Sequence, residues 1–216
     1  MTEFLKQVFA QIPLFLSSFA RAFGQPRAFG SEIEGETGKS TRTTRMNDAV
    51  LFLGICLCIT AISKSAVFGS AGVTALYIAK DALWKVFLIM AVAGLMWLSW
   101  RLVGGGAKYD KYVAANCYYF GILSVLVHLV LVVGKRAFGT ITGLSSVTFV
   151  IFYACTVGPL LIWALYCWRV YTDLNRASLQ KSLFALLIFG VLGIPVVVFS
   201  YALRFVLVGH VFRDWF

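Results

Sequence analysis

The composition of this 216-residue sequence excludes an ordinary soluble domain. Hydrophobic residues make up 60% of the chain and charged residues 13%, whereas soluble domains carry about 25% charged residues. A net charge of +10 is compatible with nucleic-acid binding, but the basic residues border apolar segments. Anionic lipid headgroups are therefore the expected partners, and nucleic acid is not.

Residues 1–24 predict an amphipathic helix. Apolar side chains recur at helical spacing from Leu5 to Phe23, which favours a helix lying in the membrane interface. A helix packed against the bundle or against a partner subunit fits the same pattern. Gln11 and Pro13 interrupt the apolar part, so we do not expect a cleaved signal peptide.

Residues 25–48 are strongly polar and predict a flexible cytoplasmic linker. The linker contains GETGKS, residues 35–40, which is similar to a phosphate-binding P-loop. That motif places its first glycine five residues before the second, and here the position is Ile33. No apolar strand precedes the segment, and the three glutamates nearby would repel phosphate, so we do not expect nucleotide binding.

Five apolar stretches follow within residues 49–209. Each is close to the 20 residues that a helix needs to cross a hydrocarbon core about 30 Å thick. The stretches are continuous rather than alternating, which excludes the strands of a transmembrane barrel. The predicted fold class is therefore all-α, a polytopic membrane protein with five transmembrane helices and the N-terminal interfacial helix. The predicted spans are 49–68, 82–103, 113–134, 147–168 and 182–203, followed by a short tail, 210–216.

The basic residues predict how the spans are oriented. Twelve Lys and Arg residues fall in the N-terminal segment and in the loops after the second and fourth spans, against seven on the other side. The positive-inside bias therefore places the N-terminus in the cytoplasm and the C-terminus outside a bacterial inner membrane. Tryptophan rings, which prefer the headgroup level, stand near the span ends: Trp84, Trp97, Trp100 and Trp168.

The predicted spans contain few ionisable groups. All nine acidic residues fall in tails, in loops or at span ends, which weakens a transporter, because coupled transporters keep carboxylates within their spans. His128 lies well inside the third span. We expect it to be neutral and hydrogen-bonded to a neighbouring helix, with a proton relay or ligand as the alternative. Asp81 and Lys85, four residues apart at a helix start, are expected to form a local ion pair.

The sequence lacks the motifs of an enzyme or a metal site. The five cysteines lie in or near the spans, where thiols behave as small hydrophobic groups. Cys56 and Cys58 point about 200° apart around a helix, so they cannot hold a metal from one face. H-E-x-x-H, G-x-S-x-G and paired carboxylates do not occur. We therefore expect no enzymatic activity, no cofactor and no metal.

Pro159 and Pro195 predict kinks in the fourth and fifth spans. Each proline lacks an amide hydrogen and leaves a carbonyl four residues earlier without its helical partner. Three nearby glycines, which would let helix backbones approach closely, are Gly158, Gly190 and Gly193. Kinks can gate a pathway, but in helix bundles they more often shape the packing.

The loop between the second and third spans resembles the signature of a known family. An aromatic-ended span is followed by glycines, a lysine, an aromatic residue and then small residues: Trp100, Gly104, Gly105, Gly106, Lys108, Tyr109, Ala114 and Ala115. This order resembles the Yip family, five-span membrane proteins named for interaction with Ypt/Rab GTPases. QPRAFGSEI, residues 25–33, is similar to the proline-then-aromatic element that precedes the first span in the prokaryotic branch.

The resemblance implies an integral five-helix domain with a cytoplasmic N-terminus. For eukaryotic members it implies membrane traffic and GTPase-linked partners, whereas prokaryotic members, which this short-tailed chain looks more like, generally have no settled activity. We therefore expect a non-catalytic organising, accessory or assembly subunit of a membrane complex, bound to other membrane subunits. The candidate functional residues are His128, Gly104, Gly105, Lys108, Tyr109, Pro159 and Pro195.

Two other functions remain open. One is a small channel or permease subunit, with a pathway lined by His128 and the kinked fourth and fifth helices. The other is a lipid-modifying enzyme. It would require polar side chains to cluster at one membrane interface, and the candidates are Lys108, Tyr109, Asp110 and His128.

Overall fold

The computed structural model describes residues 2–34, 42–68, 75–138 and 146–208, and within these ranges the chain is helical with no strand. The predicted all-α class is confirmed. The helices are α1 (Thr2–Gly24), α2 (Pro26–Glu34), α3 (Arg42–Phe68), α4 (Ala75–Leu102), α5 (Tyr109–Phe138), α6 (Ser146–Leu174) and α7 (Leu179–Val208). The P-loop-like stretch, residues 35–40, and the tail, residues 210–216, lie outside the described residues.

Four helices of the described part are long and apolar enough to cross a membrane. Their candidate spans are Met46–Ser63 in α3, Ile78–Leu102 in α4, Tyr109–Val130 in α5 and Leu179–Ser200 in α7. These spans overlap the first, second, third and fifth predicted ones, and they indicate an integral membrane protein. The predicted fourth span, 147–168, falls within α6, which is not among the four. The fifth crossing therefore stays a prediction.

Helix α5 lies at the centre of the bundle. Helices α3 and α4 both pack along α5, α7 packs mainly on α4, and α6 contacts chiefly α2. The backbones of α3 and α5 approach closely at Gly121, where an added Cβ would lie 3.1 Å from the Cys56 Sγ atom. A bare backbone at a helix crossing permits this approach.

The glycines that were predicted to provide close helix contacts do not do so. No described atom lies within 4 Å of the place that a Cβ would take at Gly158, Gly190 or Gly193. The prediction is wrong at these positions because a small residue permits close packing only where a partner helix arrives. The three glycines of α6 and α7 point to faces of these helices that no described atom approaches closely.

Three tryptophans face the interior of the bundle. Trp100 is fully buried and stacks on Trp168, with ring centroids 5.9 Å apart. Trp84 is buried as well, and its Nε1 donates to the Ser200 carbonyl of α7 at 2.9 Å. The level of these rings in the membrane stays a prediction. Inward packing gives each indole a large apolar contact area, which stabilises the bundle.

Helix α1 packs against the bundle along one side. Phe15 and Phe19 contact the Phe52 ring of α3, with centroid distances of 5.0 and 6.3 Å. Other apolar side chains of α1, such as Leu14 and Leu16, are exposed. Packing on the bundle was the alternative to an interfacial helix, and the position of α1 in the membrane interface stays a prediction.

Helix α2 forms where the sequence predicted a flexible linker. Pro26 occupies its first position, where a fixed φ and a missing N–H are tolerated. Pro26, Phe29 and Gly30 are buried although the segment is polar on average. A nine-residue helix is unstable by itself in water, so contacts with α5 and α6 stabilise α2. A polar composition does not reveal such contacts.

Candidate functional site

The end of α4 forms a tight turn built by two glycines. The Gly104 N–H donates to the Arg101 carbonyl at 3.0 Å, and the Gly105 N–H donates to the Trp100 carbonyl at 2.7 Å. This pair of bonds is the Schellman motif, in which the residue after the helix takes a left-handed conformation. Gly104 has the required φ of +84°. These glycines therefore allow the chain to turn tightly after α4 because Gly104 adopts the left-handed conformation that the Schellman motif requires.

The end of α6 repeats the same motif with a different residue. The Arg176 N–H donates to the Asp173 carbonyl at 2.9 Å, and the Ala177 N–H donates to the Thr172 carbonyl at 3.1 Å. Arg176 therefore occupies the left-handed position, with φ +47°, where glycine is the usual residue. An arginine here carries a conformational cost of about 1 kcal/mol.

The two turns contact each other through Asn175. The Asn175 Oδ1 atom accepts from the Ala107 N–H at 3.2 Å, and its Nδ2 donates to the Tyr112 hydroxyl and the Tyr171 carbonyl at 2.6 and 2.7 Å. We call the two connections, residues 103–108 and 175–178, the loop junction. Sequence reasoning missed Asn175, because nothing local to it indicates a partner nearly 70 positions away.

Gly105 fits the loop junction only because it lacks a side chain. A Cβ on Gly105 would lie 2.5 Å from Asn175 Oδ1 and 2.8 Å from the Trp100 carbonyl oxygen. Both atoms are held by hydrogen bonds, so neither can move away easily. Beneath this contact the Tyr112 and Tyr171 rings stack, with centroids 5.7 Å apart. The two connections therefore form one rigid unit.

Lys108 and Tyr109 lie at the edge of the loop junction. Lys108 is exposed. The Tyr109 hydroxyl donates to the Met90 carbonyl at 3.1 Å, and its ring meets the edge of Trp97 at 6.2 Å. The Arg101 guanidinium lies over the same Trp97 ring, 5.6 Å from its centroid, a cation–π contact. Gly104, Gly105, Lys108 and Tyr109 are thus brought together, as their sequence order requires.

His128 lies far from these residues. It is 19 positions after the start of α5, about 28 Å along the helix axis at 1.5 Å per residue. The ring is buried, and Nδ1 lies 2.8 Å from the Ser124 carbonyl oxygen of the same helix. A carbonyl oxygen only accepts, so Nδ1 carries a hydrogen and donates it. This bond runs within α5, whereas the sequence predicted a bond to a neighbouring helix.

The two prolines lie on helices other than the one that carries His128. Pro159 and Pro195 lie inside α6 and α7, and both are exposed. Asn116, a possible polar partner for a pathway, is 12 positions before His128, about 18 Å along α5. Its Nδ2 donates to the Tyr112 carbonyl at 2.8 Å and lies 3.4 Å from the Met96 sulfur. Asn116 and His128 therefore lie at different levels of α5, and the two prolines are exposed on other helices.

Helix α2 is anchored in a groove between α5 and α6, which we call the α2 groove. The Tyr119 hydroxyl of α5 donates to the Pro26 carbonyl at 2.9 Å. Arg27 forms a bidentate pair with Asp173 of α6, with N–O distances of 2.8 and 3.1 Å. This pair is about half exposed and contributes little stability, although Asp173 raises the pKa of the Arg27 guanidinium by its hydrogen bond and its charge.

The buried contacts of the α2 groove limit which side chains fit there more strictly than the Arg27–Asp173 ion pair does. Gly30 lies directly against the Val170 side chain of α6, and a Cβ on Gly30 would overlap it. Phe29 meets the edge of the Tyr118 ring at 4.7 Å. The sequence segment that forms this arrangement is QPRAFGSEI. Its proline-then-aromatic order is the basis of the family resemblance, although its polar composition predicts a linker.

A charged pair lies inside a candidate span. Lys85 Nζ is 3.0 Å from Asp81 Oδ2, and the two side chains are only 8% and 9% exposed. Lys85 Nζ also lies 3.4 Å from the Thr60 hydroxyl of α3. The predicted ion pair is confirmed, but both residues belong to the span Ile78–Leu102. The carboxylate is therefore buried among helices, three positions after the start of that span.

Other chemistry-bearing groups are dispersed. Among the described residues, no three His, Cys, Asp or Glu side chains come close enough together to hold a metal ion. The five cysteines are free thiols, with Cys56 buried and Cys58 exposed, as their angular separation on a helix requires.

Comparison with known proteins provides no relative. No protein-family model, no curated protein and no solved structure matches this chain. The Yip resemblance therefore remains a prediction that depends on residues 25–33 and 100–115.

Proposed function

We propose that this chain is a five-span integral membrane protein that acts by binding, as a non-catalytic accessory or assembly subunit of Yip type. In this proposal α6 supplies the fifth crossing, because it is 29 residues long and carries exposed apolar side chains such as Leu161 and Ile162. The N-terminus and the loop junction face the cytoplasm of a bacterial inner membrane, where basic residues are favoured. Its partners are other membrane subunits and anionic lipids.

One observation carries the accessory role. His128 and Asn116 lie about 18 Å apart along α5, and each bonds to a carbonyl of its own helix, His128 to Ser124 and Asn116 to Tyr112. Pro159 and Pro195 face outward. A transport route or a reaction centre requires such groups to converge on one space. A scaffold requires only a rigid bundle with faces available to other helices.

We expect detergent to extract this protein from the membrane in complex with other polypeptides. The measurement is native mass spectrometry of the tagged chain extracted in mild detergent, after crosslinking in the intact membrane. The expected result is a stoichiometric complex heavier than the 23.9 kDa of one chain. It should persist in His128→Ala, because this ring is bonded within its own helix. A homogeneous lone chain in several mild detergents would contradict the accessory role.

A channel or permease subunit is the second candidate, and the buried Asp81–Lys85 pair favours it. Ionisable residues inside membrane spans are costly and often mark a pathway. The measurement is ion and proton flux into vesicles that contain the purified chain. The accessory role predicts a flux equal to the leak of vesicles that lack the protein. Flux that is lost in His128→Ala or in Asp81→Asn would replace the first candidate with the second.

The topology makes a separate prediction. Five crossings place the two termini in different compartments, whereas four place them in the same one. Reporter tags at Met1 and Phe216, read by protease access in sealed inverted vesicles, should show only the N-terminal tag to be cleaved. Two tags in one compartment would show that α6 does not cross. That result would also contradict the loop junction, which holds the end of α6 beside the start of α5.

A further inference from the structure

The loop junction gathers basic side chains from two distant stretches of sequence. Lys108 and Arg176 lie in the two connections, Arg101 lies in the last turn of α4, and Lys181 lies in the first turn of α7; all four are exposed. The hydrogen bonds of Asn175 hold the two connections together. The positive charges are therefore concentrated by tertiary structure.

One contact shows how close the two stretches come. Lys181 Nζ lies 3.8 Å from the position that a Cβ on Gly104 would occupy, so the ammonium group of α7 lies over the turn at the end of α4. Two acidic residues lie in these stretches, against the four basic ones. Asp173 is paired with Arg27, and the other carboxylate of these stretches is Asp110, in the first turn of α5.

Exposed leucines beside the charges indicate what kind of anion fits. Leu102 is 62% exposed and Leu179 is 65% exposed; they neighbour Arg101 and Lys181 along the chain. A soluble anion would contact the basic groups alone. A phospholipid presents a phosphate next to acyl chains, and so it matches basic and apolar side chains that lie side by side at the end of membrane-crossing helices.

We propose that the loop junction is a binding site for the headgroup of an anionic phospholipid. Lys108 and Lys181 contact the phosphate, and Leu102 and Leu179 contact the first segments of the acyl chains. Arg101 contributes charge while it remains on the Trp97 ring. This site gives a location for the anionic lipid that the proposed function names as a partner. Only the choice of the leaflet that supplies the lipid rests on the orientation in the proposed function.

The test is lipid binding by the purified full chain. Native mass spectrometry in mild detergent counts bound phosphatidylglycerol, with phosphatidylcholine as the zwitterionic comparison. Lys108→Gln and Lys181→Gln should each weaken phosphatidylglycerol binding about fivefold, as expected for one basic residue near an anionic surface. Lys80→Gln is the matched control, because it removes one exposed lysine from the opposite end of α4 and should leave the affinity unchanged.

Three results would overturn the proposal. They are unchanged binding in both lysine variants, an equal loss in Lys80→Gln, and full competition by soluble glycerol phosphate at the same concentration as the lipid. The second result would indicate non-specific attraction to charge, and the third would indicate a site for free phosphate. The lysines are exposed, so their loss should not unfold the chain. Lipid binding is measured without any companion protein, so a failure of the accessory role would not affect it.

Discussion

Replacing Gly30 with leucine is expected to detach helix α2 from the α2 groove. The Cβ of any residue at this position would overlap the Val170 side chain, which is itself 1% exposed and has little room to move. Overpacking of a tight contact costs about 1–3 kcal/mol. Since α2 is too short to be stable alone, we expect it to unfold locally rather than to distort α6.

Hydrogen exchange of the amides of residues 26–34 measures this detachment. A cost of about 1–3 kcal/mol corresponds to exchange about fivefold to 150-fold faster, because these amides exchange when the segment opens. Gly24→Leu is the matched control. It adds the same side chain at the end of α1, where no described atom lies within 4 Å of the Cβ position. Equal exchange in the two variants would show that α2 does not depend on the groove.

Detachment of α2 should also loosen α6. Helix α6 contacts α2 more extensively than it contacts α5, so α2 fills the space between them. Amides near the Trp163 contact, where the indole Nε1 donates to the Phe23 carbonyl at 2.9 Å, should exchange faster in Gly30→Leu. Amides in the centre of α5 should not change.

Removing one member of the Asp81–Lys85 pair is expected to have a larger effect on stability. Lys85→Met leaves the Asp81 carboxylate buried without the ammonium group 3.0 Å away. Breaking a buried ion pair in this way typically costs about 3–5 kcal/mol. The thermal midpoint of the purified protein in detergent, followed by tryptophan fluorescence, should fall by several degrees or more.

The double variant Asp81→Leu/Lys85→Met distinguishes the contribution of the ion pair to stability from the contribution of side-chain packing. Apolar residues of similar size often replace a buried pair with little loss of stability, so this variant should regain most of the midpoint. Lys80→Met serves as the control, because Lys80 is exposed on the same helix and its loss should change the midpoint little. A double variant as unstable as Lys85→Met would indicate that Asp81 or Lys85 has a further essential contact.

The sequence determined the helices of this protein and its membrane character. Apolar stretches near 20 residues have one stable solution in lipid, since a helix satisfies its own backbone hydrogen bonds. Each of the five predicted stretches falls in one helix, the second running one residue past the end of α4, and α3, α4, α5 and α7 contain candidate spans. The Asp81–Lys85 pair was also predictable, because residues four apart share a helix face.

Only the tertiary structure decided which side of each helix faces protein. Trp84, Trp100 and Trp168 stand at positions that suit a headgroup layer, and partner helices bury them. Gly121 and Gly30 are close-contact sites, whereas Gly158, Gly190 and Gly193 are not. These outcomes depend on residues far away in sequence, so no local pattern contains them. The same holds for Asn175 and Tyr119, whose hydrogen bonds join segments 68 and 93 positions apart.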